Sequence, residues 1–259
     1  MCIFLNIVVF LFGLAVGSFL NCIIYRLELK EFKKKKKPFL RGRSFCPSCK
    51  HVLAWYDLIP VVSFFILRRK CRYCSKKISW QYPAVEIATA LLFLSIFNFQ
   101  ELLITSYWLL ITCLLIIIFV YDLKHFIIPD SLVFLAIGVT FLYNLITNYG
   151  LLITNYLIFG LVVAAFFFAI FALSRGRWMG FGDVKLAFFM GLFLGFPATL
   201  VALFFSFLIG AIIGIILILL KKKGLKSEVP FGPFLILGTY IGLFWGDKIV
   251  NWYLNILTY

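Results

Sequence analysis

The chain has 259 residues, 64% hydrophobic and 19% aromatic, with a mean hydropathy of +1.07; a soluble domain, with roughly 45–50% apolar residues, is excluded. Only 14% of residues are charged, yet the formal net charge is +15, so charge has to be read by position. Residues 26–80 hold 16 of the 25 Lys and Arg against Glu28, Glu31 and Asp57, a pattern that the positive-inside bias of short cytoplasmic loops explains more readily than nucleic-acid binding does.

A helix rising 1.5 Å per residue needs about 20 apolar residues to cross a hydrocarbon core of roughly 30 Å. On that ruler the run from Cys2 to Tyr25 predicts a first span over 3–25. It is read as retained, because it lacks a preceding basic stretch and a small-x-small cleavage site backed by a soluble domain. Further spans are expected over 83–99, 102–121, 128–147, 152–173, 183–196, 197–220 and 231–250. The sixth and seventh share the run Val184 to Leu220, broken at Gly195-Phe196-Pro197, where Pro disfavours continuing the preceding helix. The expected architecture is therefore an all-α membrane protein of about eight transmembrane helices. It comprises a first helix over 1–25, a basic insert over 26–80 and a polytopic domain over 81–259.

With the basic block in the cytoplasm, eight spans leave both termini outside. Lys124, Arg175, Arg177, Lys221, Lys222, Lys223 and Lys226 then fall at cytoplasmic ends, while the external turns near 99–101, 148–151 and 195–197 contain no Lys or Arg. Lys248 alone sits on the outer side. No internal repeat is read, and the run Lys33 to Lys37 is a solvated linker.

Within the insert, Cys46-Pro-Ser-Cys49 and Cys71-Arg-Tyr-Cys74 are separated by 21 residues, a zinc-ribbon or knuckle spacing. Two residues between paired thiols let both sulfurs reach one tetrahedral Zn²⁺, and two such pairs close a structural site. A disulfide pair or a redox motif is the alternative, and a cytoplasmic location speaks against the disulfide. His51 is a competing ligand only if a thiol is displaced. Cys2, Cys22 and Cys113 lie in apolar runs and read as small hydrophobes.

Ten acids are present, and those at membrane depth are candidates for function because an ionised carboxylate is costly there. Asp122 ends the third span and Asp183, in Gly180-Phe-Gly182-Asp183, opens the sixth, so the orientation puts both at one face. Two such carboxyls sharing a proton can hydrolyse a peptide bond, the ionised one activating water and the protonated one polarising the carbonyl. Gly180 and Gly182, without side chains, suit close approach of a substrate backbone. The alternatives are structural: Asp183 as a helix cap, and Asp122 paired with Lys124 or Arg177. Asp130 after Ile128-Pro129 fits a cap, Glu86 is a third buried acid of structural or substrate-binding use, and Lys185 is expected to snorkel.

Taken in order, these motifs resemble the type IV prepilin peptidases over nearly the whole chain. They are Gly17-Ser-Phe-Leu-Asn21 with Tyr25-Arg26, CPSC at 46–49, Trp55-Tyr-Asp-Leu-Ile-Pro60 with Ser63, and CRYC at 71–74. Tyr82-Pro-Ala-Val-Glu86, Tyr121-Asp122, Ile128-Pro129-Asp130, the GFGD of 180–183 and Pro230-Phe-Gly-Pro233 follow. The resemblance implies a GxGD-class aspartyl protease with Asp122 and Asp183 as the catalytic pair. It implies prepilin or pseudopilin substrates, whose basic leader is cut after a Gly at the cytoplasmic face of the inner membrane. It also implies N-methylation of the new terminus with S-adenosylmethionine, an activity that the resemblance associates with the insert; no Gly-rich nucleotide fingerprint is present, and Asn21 and Glu86 are no more than suspects for the methyl-donor site. Arg69 stands where many relatives have Gly, and Glu28 where Pro is usual. A peptidase without the methyltransferase, an ion-coupled transporter and a membrane-tethered nucleic-acid binder are the competing readings. The lipid membrane is the expected partner of the basic insert.

Overall fold

The computed structural model describes residues 2–33, 43–97, 102–147, 151–220 and 229–257. These form α1 (Cys2–Lys33), a 3-10 turn (Trp55–Leu58), α2 (Val62–Ile66), α3 (Gln81–Ile96), α4 (Leu102–His125) and α5 (Asp130–Thr147). They continue with α6 (Leu151–Ser174), α7 (Phe181–Leu194), α8 (Ala198–Leu219) and α9 (Gly232–Leu257). The chain is a multi-pass all-α membrane protein: among the described residues six helices, α1, α4, α5, α6, α8 and α9, are long and apolar enough to cross a bilayer. The other two apolar segments also form helices, but α3 has 16 residues and α7 has 14. They rise about 24 and 21 Å, short of a roughly 30 Å core. Lys34 to Lys37, Lys221, Lys222, Lys223, Lys226 and the turns at 99–101 and 148–150 lie outside the described residues.

α1 runs past the expected boundary at Tyr25 to Lys33, because the polar continuation from Arg26 is rich in Leu, Glu and Lys and nothing in it stops a helix. α7 ends where the sequence expects a break. Gly195 caps it at φ +65°, its N–H donating to the Gly191 carbonyl at 2.9 Å, and α8 begins after Pro197.

The chain packs as two units, Met1–Ile117 and Ile118–Tyr259. In the first, α1 lies along α3 at a separation only Gly allows: a Cβ at Gly13 would sit 2.6 Å from Ala90 Cα, and one at Gly17 2.7 Å from Glu86 Cα. In the second, α7 packs against α5, α6, α8 and α9, and α8 runs along α9. Gly238, Gly242 and Gly246 on α9, four residues apart, face Ala198, Ala202 and Ser206 on α8. Lipid tails are as apolar as Leu, so helices in a bilayer associate by close packing of such small residues rather than by hydrophobic exclusion. Buried polar side chains mostly serve the backbone; Asn144 of α5, for example, donates to the Leu192 carbonyl near the end of α7 at 2.9 Å.

Candidate active site and metal centre

The second unit brings Asp122 and Asp183 together. Asp122 stands in the last turn of α4, where Phe126 takes φ +56° and its N–H closes the turn on the Asp122 carbonyl at 2.9 Å. The chain then crosses Ile127, Ile128 and Pro129 and starts α5 at Asp130. Asp183 lies in the first turn of α7, with Gly180 as the residue before the helix. Its Oδ2 accepts the Gly180 N–H at 3.2 Å, so the carboxyl fills the reciprocal half of a capping box rather than the cap position itself. Asp122 is 3% exposed and Asp183 8%, and Ile128 links their surroundings, lying against Gly182 next to Asp183 and against Gly232, where Asp122 Oδ2 also sits. Asp122 Oδ2 is buried with no hydrogen-bond partner among the described residues, so neither Lys124 nor Arg177 satisfies that oxygen.

Glycines set the space around the pair, and one of them was not singled out from sequence. A Cβ at Gly232, the first residue of α9, would lie 2.5 Å from Asp122 Oδ2 and 3.1 Å from Ile128 Cδ1. Ile128 also fills the side of Gly182, where a Cβ would come within 2.9 Å of the Ile128 Cβ. By contrast, among the described residues a methyl at Gly180 would meet only Asp183 Oδ2 at 3.6 Å and the Gly182 nitrogen at 4.0 Å. The sequence signal for Gly232 was its place in Pro230-Phe-Gly-Pro233, legible as a motif but not as a contact. Two residues beyond Asp183, Lys185 Nζ meets Asp130 Oδ1 at 2.6 Å and lies over the rings of Phe181 and Phe134. Lys185 therefore ties the start of α7 to the start of α5.

In the first unit the Sγ atoms of Cys46, Cys49, Cys71 and Cys74 all lie within 4.8 Å of one another. Cys46 and Cys74 are 3.9 Å apart, far from the roughly 2.03 Å of a disulfide and near the ~3.8 Å that tetrahedral Zn–S bonds of about 2.3 Å require. Each pair sits on a like turn. Cys46 N–H donates to His51 O and Lys50 N–H to Cys46 O, as Cys71 N–H donates to Lys76 O and Ser75 N–H to Cys71 O, all at 2.9 Å. Lys50 and Ser75 both take positive φ, and bridges Phe45 to Val52 and Lys70 to Lys77 close the two turns. Burial pushes the Cys46 thiol up, but the amides of Cys49 and Ser48 and the neighbouring thiols outweigh it and hold it at about 7. The donor set fits a divalent soft metal, and His51 is not part of it: its ring stacks on Tyr73 at 3.7 Å between centroids.

Asp57, not singled out from sequence, joins the 3-10 turn to the second cysteine pair through Arg72 Nε at 2.9 Å and Tyr73 Oη at 3.2 Å. Arg69 takes φ +61°, the region that favours Gly, with its guanidinium 4.8 Å over the Trp80 ring.

Asn21 and Glu86 both bond within the first unit. Asn21 Nδ2 donates to the carbonyls of Gly17 and Tyr82, and its Oδ1 accepts from Gln81 Nε2. Glu86 Oε2 accepts the Val61 N–H at 2.7 Å, and the Ser18 hydroxyl also reaches the carboxyl.

A multi-pass helical membrane protein with a buried carboxyl pair at helix ends and a four-cysteine cluster in a short insert defines the class. Residues 11–99 match the model of the bacterial peptidase A24 N-terminal domain, and residues 109–215 that of the type IV leader peptidase family. The prepilin leader peptidase/N-methyltransferase of Aeromonas salmonicida (strain A449) is 34% identical over 276 residues, covering 96% of this chain and 94% of the relative. That of Legionella pneumophila is 34% identical over 282 residues, covering 97% and 95%; that of Bacillus subtilis (strain 168) is 30% identical over 257 residues, covering 96% and 98%. The chain belongs to the type IV prepilin peptidase family. No solved structure matches it.

Proposed function

We propose that this chain is an aspartyl endopeptidase of the cytoplasmic membrane that removes the basic leader of prepilins or pseudopilins after a Gly, at the cytoplasmic face. The observation that supports the reading is that Asp122 and Asp183, two buried carboxyls from separate helices of one unit, share a neighbourhood: Ile128 lies against Gly182 beside Asp183 and against Gly232, where Asp122 Oδ2 also sits. Like charges brought close favour a shared proton. The ionised member takes a proton from water as the oxygen attacks the scissile carbonyl, while the protonated member donates to the carbonyl oxygen; collapse of the tetrahedral intermediate returns a proton to the leaving amine. Gly180 leaves room for an extended substrate backbone, and Gly182 and Gly232 seat Ile128 and Asp122. Cutting beside a Gly at the membrane face suits a weak, hydrated stretch of substrate helix.

The same reading takes α3 and α7 as the remaining two of eight spans, with the cysteine insert and the carboxyl pair cytoplasmic and both termini outside. Cys46, Cys49, Cys71 and Cys74 would hold a structural Zn²⁺, which supplies cross-linking of the two turns and no open coordination position. N-methylation of the new terminus rests on the names of the relatives. S-adenosylmethionine would supply the methyl group, with Asn21 and Glu86, each also hydrogen-bonded within the first unit, as the candidate contacts.

Co-expression with a prepilin, followed by mass measurement of the mature N-terminus, tests both activities, cleavage by loss of the leader and methylation by one added methyl. Asp122→Asn and Asp183→Asn should each abolish cleavage in protein that still inserts and purifies normally. Near-normal turnover in either removes that residue from the pair.

A further inference from the structure

The insert carries an apolar face used by neither the carboxyl pair nor the cysteine cluster. α2 is Val62-Ser-Phe-Phe-Ile66; Phe64 is buried, but Val62, Phe65 and Ile66 are 50%, 59% and 70% exposed. Trp55, 77% exposed, belongs to the 3-10 turn packed on α2, and Trp80, 53% exposed, stands with its ring 6.4 Å from that of Phe65. Scattered exposed apolar residues are ordinary, whereas a contiguous set of large ones marks an interaction surface.

Its position says what covers it. Trp80 is the residue before α3, and the Val61 N–H bonds Glu86, five residues inside that apolar helix. The clamp is tight: Val61 has φ +61° and ψ −50°, and Val62 N–H closes a γ-turn on the Pro60 carbonyl at 2.5 Å. A β-branched residue rarely takes this conformation, so the Glu86 bond fixes how α2 is presented beside α3. Arg68, Arg69 and Lys70 follow α2 directly, and the Arg69 guanidinium lies over Trp80. Asp57, the acid of this region, is already engaged by Arg72 and Tyr73. A basic rim around Trp, Phe and Ile beside the mouth of a membrane helix is the composition of the bilayer interface, where aromatic rings sit at headgroup depth and Lys and Arg meet lipid phosphates.

We propose that α2, with Trp55 and Trp80, is an interfacial foot of the insert, seated in the headgroup region of an anionic membrane by Val62, Phe65 and Ile66 and held there by Arg68, Arg69 and Lys70. The proposal rests on that reading's placing of α3 in the membrane and not on its peptidase activity. The full chain is tested with photo-crosslinking benzoylphenylalanine in place of Ile66, or of Ser48 on the exposed first cysteine turn, reconstituted into vesicles with or without phosphatidylglycerol. Phospholipid adducts should form at position 66 several-fold more than at 48, and more with phosphatidylglycerol than with phosphatidylcholine alone. Equal yields at the two positions, indifference to anionic lipid, or an adduct at 66 with a second copy or an added prepilin overturns the proposal. The same probe at Phe65 gives an independent reading should the first variant fold poorly.

Discussion

Asp122 Oδ2 has a glycine where any side chain would strike it. Gly232→Ala puts a carbon 2.5 Å from that oxygen, and either α9 or the carboxyl must move by several tenths of an ångström. Displacements near 1 Å can lower a rate by about 10²-fold, so Gly232→Ala should reduce prepilin cleavage about ten- to a hundred-fold. Gly180→Ala, which meets nothing closer than 3.6 Å, should retain its kcat and raise KM, because its open side is where substrate would lie. Steady-state cleavage of a purified prepilin by the two variants checks the contrast, and equal losses would mean that both glycines serve the same contact. The sequence displayed the acids and the GFGD run, since an acid in an apolar run is conspicuous. Ile128 and Gly232 were legible only as parts of motifs, because which residue fills the space beside a glycine depends on helices distant in the chain.

Helix starts, more than helix bodies, hold the carboxyl pair in register. Asp130 opens α5 five residues after α4 ends at His125, and Lys185 follows Asp183 by two, so their 2.6 Å ion pair ties together the segments flanking the pair. Lys185 is 16% exposed and Asp130 61%; such a half-exposed pair contributes little to global stability. Lys185→Met should therefore leave thermal stability within about 1 kcal/mol while lowering kcat several-fold at unchanged KM, and the swapped double variant Asp130→Lys with Lys185→Asp should recover part of the loss. No recovery would place the effect in the cation–ring contacts instead. The small-residue seam of α8 and α9 behaves oppositely. Gly242→Val meets Ala198 O at 2.9 Å and Ala202 Cβ at 3.0 Å, overpacking of a kind that costs about 1–3 kcal/mol, and a lowered unfolding midpoint in detergent should report it. Hydropathy located the apolar segments well because length and composition alone make a span. It missed the length of α1, which helix formers carry on to Lys33, began α3 and α7 two residues late, and missed the seam, which is read from four-residue spacing rather than from hydropathy.

At the scale of the molecule, the cysteine cluster belongs to the unit ending at Ile117 and the carboxyl pair to the unit beginning at Ile118. The cysteine spacing was strong enough to expose the first site in sequence, because local turns place paired sulfurs without help from the rest of the fold. The second site needed two distant stretches to meet, which spacing cannot show. This division predicts separable losses. Metal ligands must be deprotonated to bind, so metal removal by chelator should become easier as pH falls. The stripped insert, deprived of the link between its two turns, should become sensitive to protease within 43–80. Cys46→Ser or Cys71→Ser should act alike, reducing methylation more than cleavage, since neither thiol belongs to the unit that carries Asp122 and Asp183. Parallel measurement of leader removal and methyl incorporation on one prepilin decides the matter: a proportionate fall in both would mean that the cysteine turns also shape the peptidase.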